Sequence, residues 1–333
     1  DCAFLLYAVY IPLLIAIYIL ELIVILRHRR QYYSSFYLIF SVIAAVDVLA
    51  CLIGTFLFRL PLYPIVYGYY ESLLGKRAWI PPLHALGYYF NCLSQYLGVL
   101  MAANRFTAIF TPNYHDKIWR YLLIGVLLSL VIAVIPVWIL IQLLYEYPIA
   151  FVEDTQDAEY PFFVLEVHWI PQKAIWLNMA EVTVVCNLIC TFIYVACLIK
   201  LSLYSISRNS TVERNFFIVG FSSMVISLPY TAVMPACAQS TKNYPNFEKS
   251  RLPQHLLFMY LVVIDKLPFD AKSMLFVFYQ VPWVTDLKYL SLAPILLITN
   301  ISIRRSITAM FRSKREQKAH IIISSHNYFP RKQ

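Results

Sequence analysis

The feature that most constrains this chain is the recurrence, from one end to the other, of apolar runs in which a charged side chain is the exception. We read seven of them, at about 4–26, 35–58, 82–110, 120–144, 174–200, 215–238 and 279–302. A helix needs about 20 apolar residues to cross a bilayer, and each run is of that order. Composition agrees: 60% of the 333 residues are hydrophobic and 14% are charged, where a soluble domain carries roughly 25% charged residues. A soluble globule is excluded, and the expected fold is an all-α membrane protein, a seven-transmembrane helix bundle.

The net charge of +9 does not point to nucleic acid, because the basic residues sit in short loops and the tail. Arg27, His28, Arg29 and Arg30 follow the first run, Lys117 and Arg120 lie between the third and fourth, and Lys200, Arg208 and Arg214 lie between the fifth and sixth. Arg304, Arg305, Arg312, Lys314, Arg315 and Lys318 follow the seventh, whereas 145–173 is acidic, with Glu153, Asp154, Asp157 and Glu159. The positive-inside bias therefore places the N-terminus outside and the C-terminus in the cytoplasm. Residues 1–303 form the membrane body in this reading, and 304–333 a basic cytoplasmic tail. An eighth span at 255–280 would bury Asp265, Lys266, Asp270 and Lys272, at roughly 2.5–3.5 kcal/mol each, and would be broken by Pro268. Segment 239–278 is accordingly read as a long outer loop. The chain begins at Asp1 rather than Met, and its first run is too long for a cleaved leader, so that run is expected to act as a signal anchor. Cys51, Cys92, Cys186, Cys190 and Cys197 lie in apolar runs as small hydrophobes, with no metal-ligand spacing, and neither metal nor cofactor is expected.

Three of the charges that interrupt the runs stand out. Arg105, at the end of the third, stands in the pattern Asn104-Arg105-x-x-Ala108-Ile109-x-x-Pro112. A guanidinium at a membrane edge either anchors in headgroups or turns inward to hold neighbouring helices, where it serves as a two-state latch. Asp47 lies mid-run in the second segment and Glu21 late in the first, and intramembrane carboxyls are functional candidates, together as one polar network or each satisfied separately. Glu213, beside the sixth run, is either a resting partner for Arg105 or a solvated charge. Pro229 and Pro294 are hinge candidates, since a mid-helix proline removes a backbone hydrogen bond. The arginine with alanine, isoleucine and proline at these intervals resembles the third helix of rhodopsin-like receptors, and the Ile-Ala-Ala-Val-Asp stretch ending at Asp47 resembles their second.

The stretches SSFYLIF (34–40), NRFTAIFTPNYHDKIWR (104–120) and PWVTDLKYLSLAPILLITNISIRR (282–305) carry the resemblance further, to the nematode serpentine chemoreceptors of the class gamma superfamily, which includes classes gamma and V. This resemblance implies a multi-pass plasma-membrane receptor of sensory cilia that detects a small environmental molecule and signals through a heterotrimeric G protein. Several positions depart from the rhodopsin-like pattern. Asn104 replaces an acidic neighbour of Arg105, Ala293-Pro294 replaces the seventh-helix asparagine-proline pair, and 145–173 lacks the cysteine of the usual outer bridge, leaving Cys2 and Cys237 as the conceivable pair. A ligand pocket is expected between the outer helix halves, with His84, Tyr88, Tyr89, Phe90, Gln95, Trp283 and Lys288 as candidate lining, against ordinary packing.

Rival readings are a non-sensory peptide receptor, an opsin-like receptor using Lys288, a channel or transporter, and an intramembrane enzyme. For an opsin, the third run offers Lys288 no acidic counter-ion, and Lys288 is expected to snorkel outward or pair with Asp286 or an outer-loop acid. No helix carries two histidines for a hydrolytic metal, and no inverted repeat or glycine-rich filter marks a transporter or channel.

Overall fold

The computed structural model describes residues 2–28, 32, 34–60, 64–72, 80–122, 172–203, 215–229 and 284–311, and the regular elements among them are all helical. In chain order they are α1 (Cys2–Arg27), α2 (Ser35–Gly54), α3 (Pro64–Glu71) and α4 (Ile80–Phe110), then α5 (112–122). They continue as α6 (Gln172–Leu203), α7 (Asn215–Pro229), α8 (284–290), α9 (Leu292–Thr299) and α10 (Ile301–Phe311). Three stretches among the described residues are long and apolar enough to cross a membrane: Val9–Arg27, Ser35–Leu57 and Met179–Leu203. Helix α4 has the length, with 31 residues, but Asn91, Ser94, Gln95, Asn104 and Arg105 interrupt its apolar character, all of them buried. The expected loop at 239–278, and the expected fourth run beyond residue 122, lie outside the described residues.

Cross-helix contacts fix how the helices run. Helix α1 is parallel to the last three, since Tyr10 bonds Asp286, the Tyr18 hydroxyl donates to the Tyr289 carbonyl at 2.8 Å, and Tyr32 meets Ser306 at 3.0 Å. Helices α2 and α4 are antiparallel, with Ser35 against Asn104 at 2.6 Å and Asp47 against Ser94 at 2.7 Å. Helices α4 and α6 run parallel, joined by Gln95 to Thr183 at 3.4 Å and, farther along both, by Lys200 over the Phe110 ring at 5.6 Å. Helix α7 returns antiparallel to α6, with Ser227 donating to Asn187 at 3.0 Å and the Tyr194 and Phe217 rings 5.6 Å apart.

The core is built from Tyr18 of α1, Phe36 and Phe40 of α2, and Leu290, Leu296 and Ile303 of the C-terminal helices. Leu13, Ile23, Phe192, Val195 and Leu198 face outward instead, an apolar exterior that water would penalise and hydrocarbon does not. Three interruptions have local causes. Thr55 Oγ1 donates back to the Cys51 carbonyl at 2.9 Å, and α2 widens there into a π-helical turn over Thr55–Arg59; such turns re-aim the side chains that follow. Pro294 has no N–H for the Leu290 carbonyl, and the chain bends at Ser291 between α8 and α9. Asn300 leaves the helix in an extended conformation, and its Oδ1 accepts the N–H groups of Ser302 at 3.1 Å and Ile303 at 3.2 Å. It thereby caps α10. Ile303, Ile307 and Met310 of α10 pack on the core, while Arg304 and Arg305 are exposed.

Candidate functional site

The last turns of α4 carry the first group of candidate residues. Consecutive helical side chains diverge by about 100°, so Asn104 and Arg105 reach different neighbours. Arg105 is turned inward, only 2% exposed. Its guanidinium lies 4.7 Å from the Phe36 ring centre and 5.1 Å from that of Phe216, and it donates to the Asn104 Oδ1. The two rings are themselves stacked at 4.2 Å, and Tyr37 meets the Phe216 ring edge-on at 5.3 Å. The Tyr37 hydroxyl accepts from Asn300 Nδ2 at 2.8 Å. One cation thus sits where α2, α4 and α7 converge, with α9 joined through Asn300. Ile109 packs against the cluster of Cys190, Tyr194, Cys197 and Phe217. Pro112 is exposed as the first residue of α5, a position where a missing N–H costs nothing. Glu213 lies outside the described residues.

The second group crosses the middle of the bundle. Asp47 accepts from Ser94 at 2.7 Å, and Lys288 donates to Asn91 Oδ1 at 2.9 Å beneath the Tyr289 ring at 4.6 Å. Asn91 and Ser94 are three residues apart on α4, one turn, so α4 holds a cation and an anion on the same face. Ser94 and Asn91 thus place Asp47 and Lys288 on neighbouring turns of the α4 face. This corrects the expectation that Lys288 would snorkel outward or pair with Asp286: it is buried, and Asp286 is bonded to Arg59. It also supplies the counter-charge that the third run lacks, from the second helix instead. Glu21 is fully buried, yet among the described residues neither carboxyl oxygen has a hydrogen-bond partner, so no hydrogen bond joins it to Asp47. Tyr18, one turn earlier on α1, lies in the field of both carboxyls.

Of the expected pocket residues, Gln95 reaches Thr183, the His84 and Tyr88 rings lie 6.2 Å apart, and Tyr88 packs with Met179 and Val284 between α4, α6 and α8. Tyr89 stands 5.5 Å from Phe90, ring to ring. Trp283, Cys237 and the side chain of Cys2 lie outside the described residues. Pro229 ends the described part of α7, and Pro294 sits three residues beyond the Ser291 bend.

Sequence reasoning passed over a third group. Arg59, at the end of the π-helical turn, forms a buried ion pair with Asp286, donates to Thr55 Oγ1 at 2.8 Å, and shares Asp286 with Tyr10 and Cys51. The signal was the lone arginine just beyond the second apolar run. Gly220 was also passed over: a Cβ there would collide with the Tyr194 hydroxyl, so only glycine lets α7 lie this close to α6.

Long apolar helices with outward apolar faces, crossed by internally paired charges, define a polytopic helical membrane protein. The family model described as Srg family chemoreceptor matches residues 4–307. The chain belongs to the Srg family of chemoreceptors. It is 26% identical over 219 residues to serpentine receptor class gamma-14 of Caenorhabditis elegans, an alignment covering 62% of this chain and 60% of that protein. The match therefore spans less than two thirds of that relative's length.

Proposed function

We propose that this chain is a chemosensory G-protein-coupled receptor: it detects a small environmental molecule between the ends of its helices remote from Arg105, and engages a heterotrimeric G protein at the Arg105 end. Family membership supports the receptor class. The observation that carries the signalling part is the seat of Arg105, a cation held on ring faces from α2 and α7. Cation–π attraction weakens gradually as a ring slides, so a shift of α7 loosens the seat of the guanidinium.

Seven spans with an external N-terminus suit the helix directions. Helices α4 and α6 run parallel, so the chain has to recross the bundle between them, and the apolar run at 120–144 is the segment proposed for that crossing. The body covers 1–303, and the basic segment 304–333 is cytoplasmic, its first turns docked by Ile307 and Met310. Glu213 is the proposed carboxylate partner of Arg105 at rest. Glu21, Asp47 and Lys288 form the polar interior through which ligand binding reaches that end, and Pro229 and Pro294 are the hinges. The ligand contacts are His84, Tyr88, Gln95, Trp283 and Lys288. The location is the plasma membrane, including sensory cilia.

Calcium imaging of cells expressing the chain, challenged with a panel of small volatile and soluble molecules, tests this reading. A response of the native chain that is lost in Arg105→Ala at equal surface level is expected. An unchanged response in that variant overturns the signalling role. An opsin-like function is the second reading, favoured by the Asp47 charge beside Lys288. Retinal bound by the native chain and not by Lys288→Ala would establish it in place of small-molecule sensing.

A further inference from the structure

Beneath Arg105 the loop helix α5 is bonded to the bundle through His115 and Trp119. His115 places Nε2 3.2 Å from Ser35 Oγ of α2 and Nδ1 3.0 Å from Thr107 Oγ1 of α4. Counting donors and acceptors gives each bond a direction. Thr107 Oγ1 lies 3.2 Å from the Ala103 carbonyl and 3.1 Å from that of Asn104, so its hydrogen is spent on the backbone. Its oxygen accepts from Trp119 Nε1 at 2.7 Å and therefore accepts from His115 as well. Ser35 Oγ accepts from Asn104 Nδ2 at 2.6 Å and keeps its hydrogen to offer to His115 Nε2; an imidazole with its proton on Nδ1 satisfies both contacts. Through Ser35 it orients the Asn104 amide, whose Oδ1 in turn holds the Arg105 guanidinium.

We propose that His115 is a positioning residue for Arg105: holding Ser35, and through it the Asn104 amide, it fixes the resting seat of the guanidinium, so that release of α5 and release of Arg105 are coupled. This rests on the reading that Arg105 faces a G protein. Two substitutions separate positioning from simple anchoring of α5. Asparagine at 115 can imitate the Nδ1 bond to Thr107 but is too short for Ser35, and glutamine extends an amide to the Nε2 position.

The test uses the purified full chain in nanodiscs with a heterotrimeric G protein and no ligand. Basal nucleotide exchange should rise about fivefold in His115→Asn and Ser35→Ala, the shift that one net hydrogen bond of about 1 kcal/mol corresponds to. It should stay near the native level in His115→Gln, and the double variant should exceed neither single one, because both cut the same relay. Rescue by asparagine, or additive effects, overturns the proposal. A second readout needs no G protein: the side-chain ¹⁵N resonance of Arg105, shifted by the Phe36 and Phe216 rings, should move in His115→Asn and Ser35→Ala but not in His115→Gln. An unmoved resonance overturns the positioning role. A moved resonance with exchange flat in every variant, Arg105→Ala included, upholds the positioning and rejects the G-protein reading.

Discussion

The bundle buries an arginine near each end and holds the two by different physics. Arg59 is paired with Asp286 inside a cluster that also includes Tyr10, Cys51 and Thr55, joining α1, the end of α2 and α8. Arg105 rests on two aromatic faces and a neutral amide, joining α2, α4 and α7. A buried ion pair has a directional minimum and a large penalty for separation. A ring face has a broad minimum. The first arrangement suits a fixed joint and the second a sliding one, so the two ends of one helix bundle are built for opposite duties.

The largest expected effect tests the fixed joint. Asp286→Ala strands the Arg59 charge and should cost about 3–5 kcal/mol, read as a fall in Tm of the solubilised protein, whereas the apolar double variant Arg59→Leu with Asp286→Leu should recover most of it. Equal losses in the single and double variants would mean that shape rather than charge holds this end. Next comes the α6–α7 contact. Gly220→Ala forces Tyr194 aside and should cost about 1–3 kcal/mol, with a rise in ligand-independent exchange because α7 loses its seat. At the sliding joint, Phe216→Leu removes one ring from Arg105, worth about 0.5–2 kcal/mol. Basal exchange should rise while Tm barely moves, and a large drop in Tm would place Phe216 among the fixed contacts. The smallest effect is expected at Asn300→Ala, which removes the cap of α10 at about 1 kcal/mol; faster amide exchange confined to 301–311 checks it.

The same contrast explains what was legible in the sequence. Arg105 was visible because its spacing to Ala108, Ile109 and Pro112 is a short-range pattern on and just beyond one helix. Asp47 and Glu21 were visible because a carboxyl in an apolar run is conspicuous, and the apolar runs matched α1, α2, α4 and α6 within a few residues. The ion pair of Arg59 and Asp286 depends on residues 227 positions apart and on a π-helical turn that no apolar periodicity marks, so Arg59 was passed over and Asp286 was considered only as a neighbour of Lys288. Lys288 was aimed wrongly for a related reason: its nearest acid in sequence, Asp286, faces another helix, and its partners Asn91 and Asp47 are distant in the chain. The interruption at Asn300 is clear once its side chain is seen to cap α10.

The central claim is that the Arg105 end moves and the Asp286 end does not. Hydrogen–deuterium exchange of the chain in nanodiscs, with and without a nucleotide-free heterotrimeric G protein, measures both ends at once. Changed protection in 104–122 and 215–229, with 51–59 and 284–290 unaltered, is the predicted result. Equal changes at both ends, or changes confined to the Asp286 end, would contradict it.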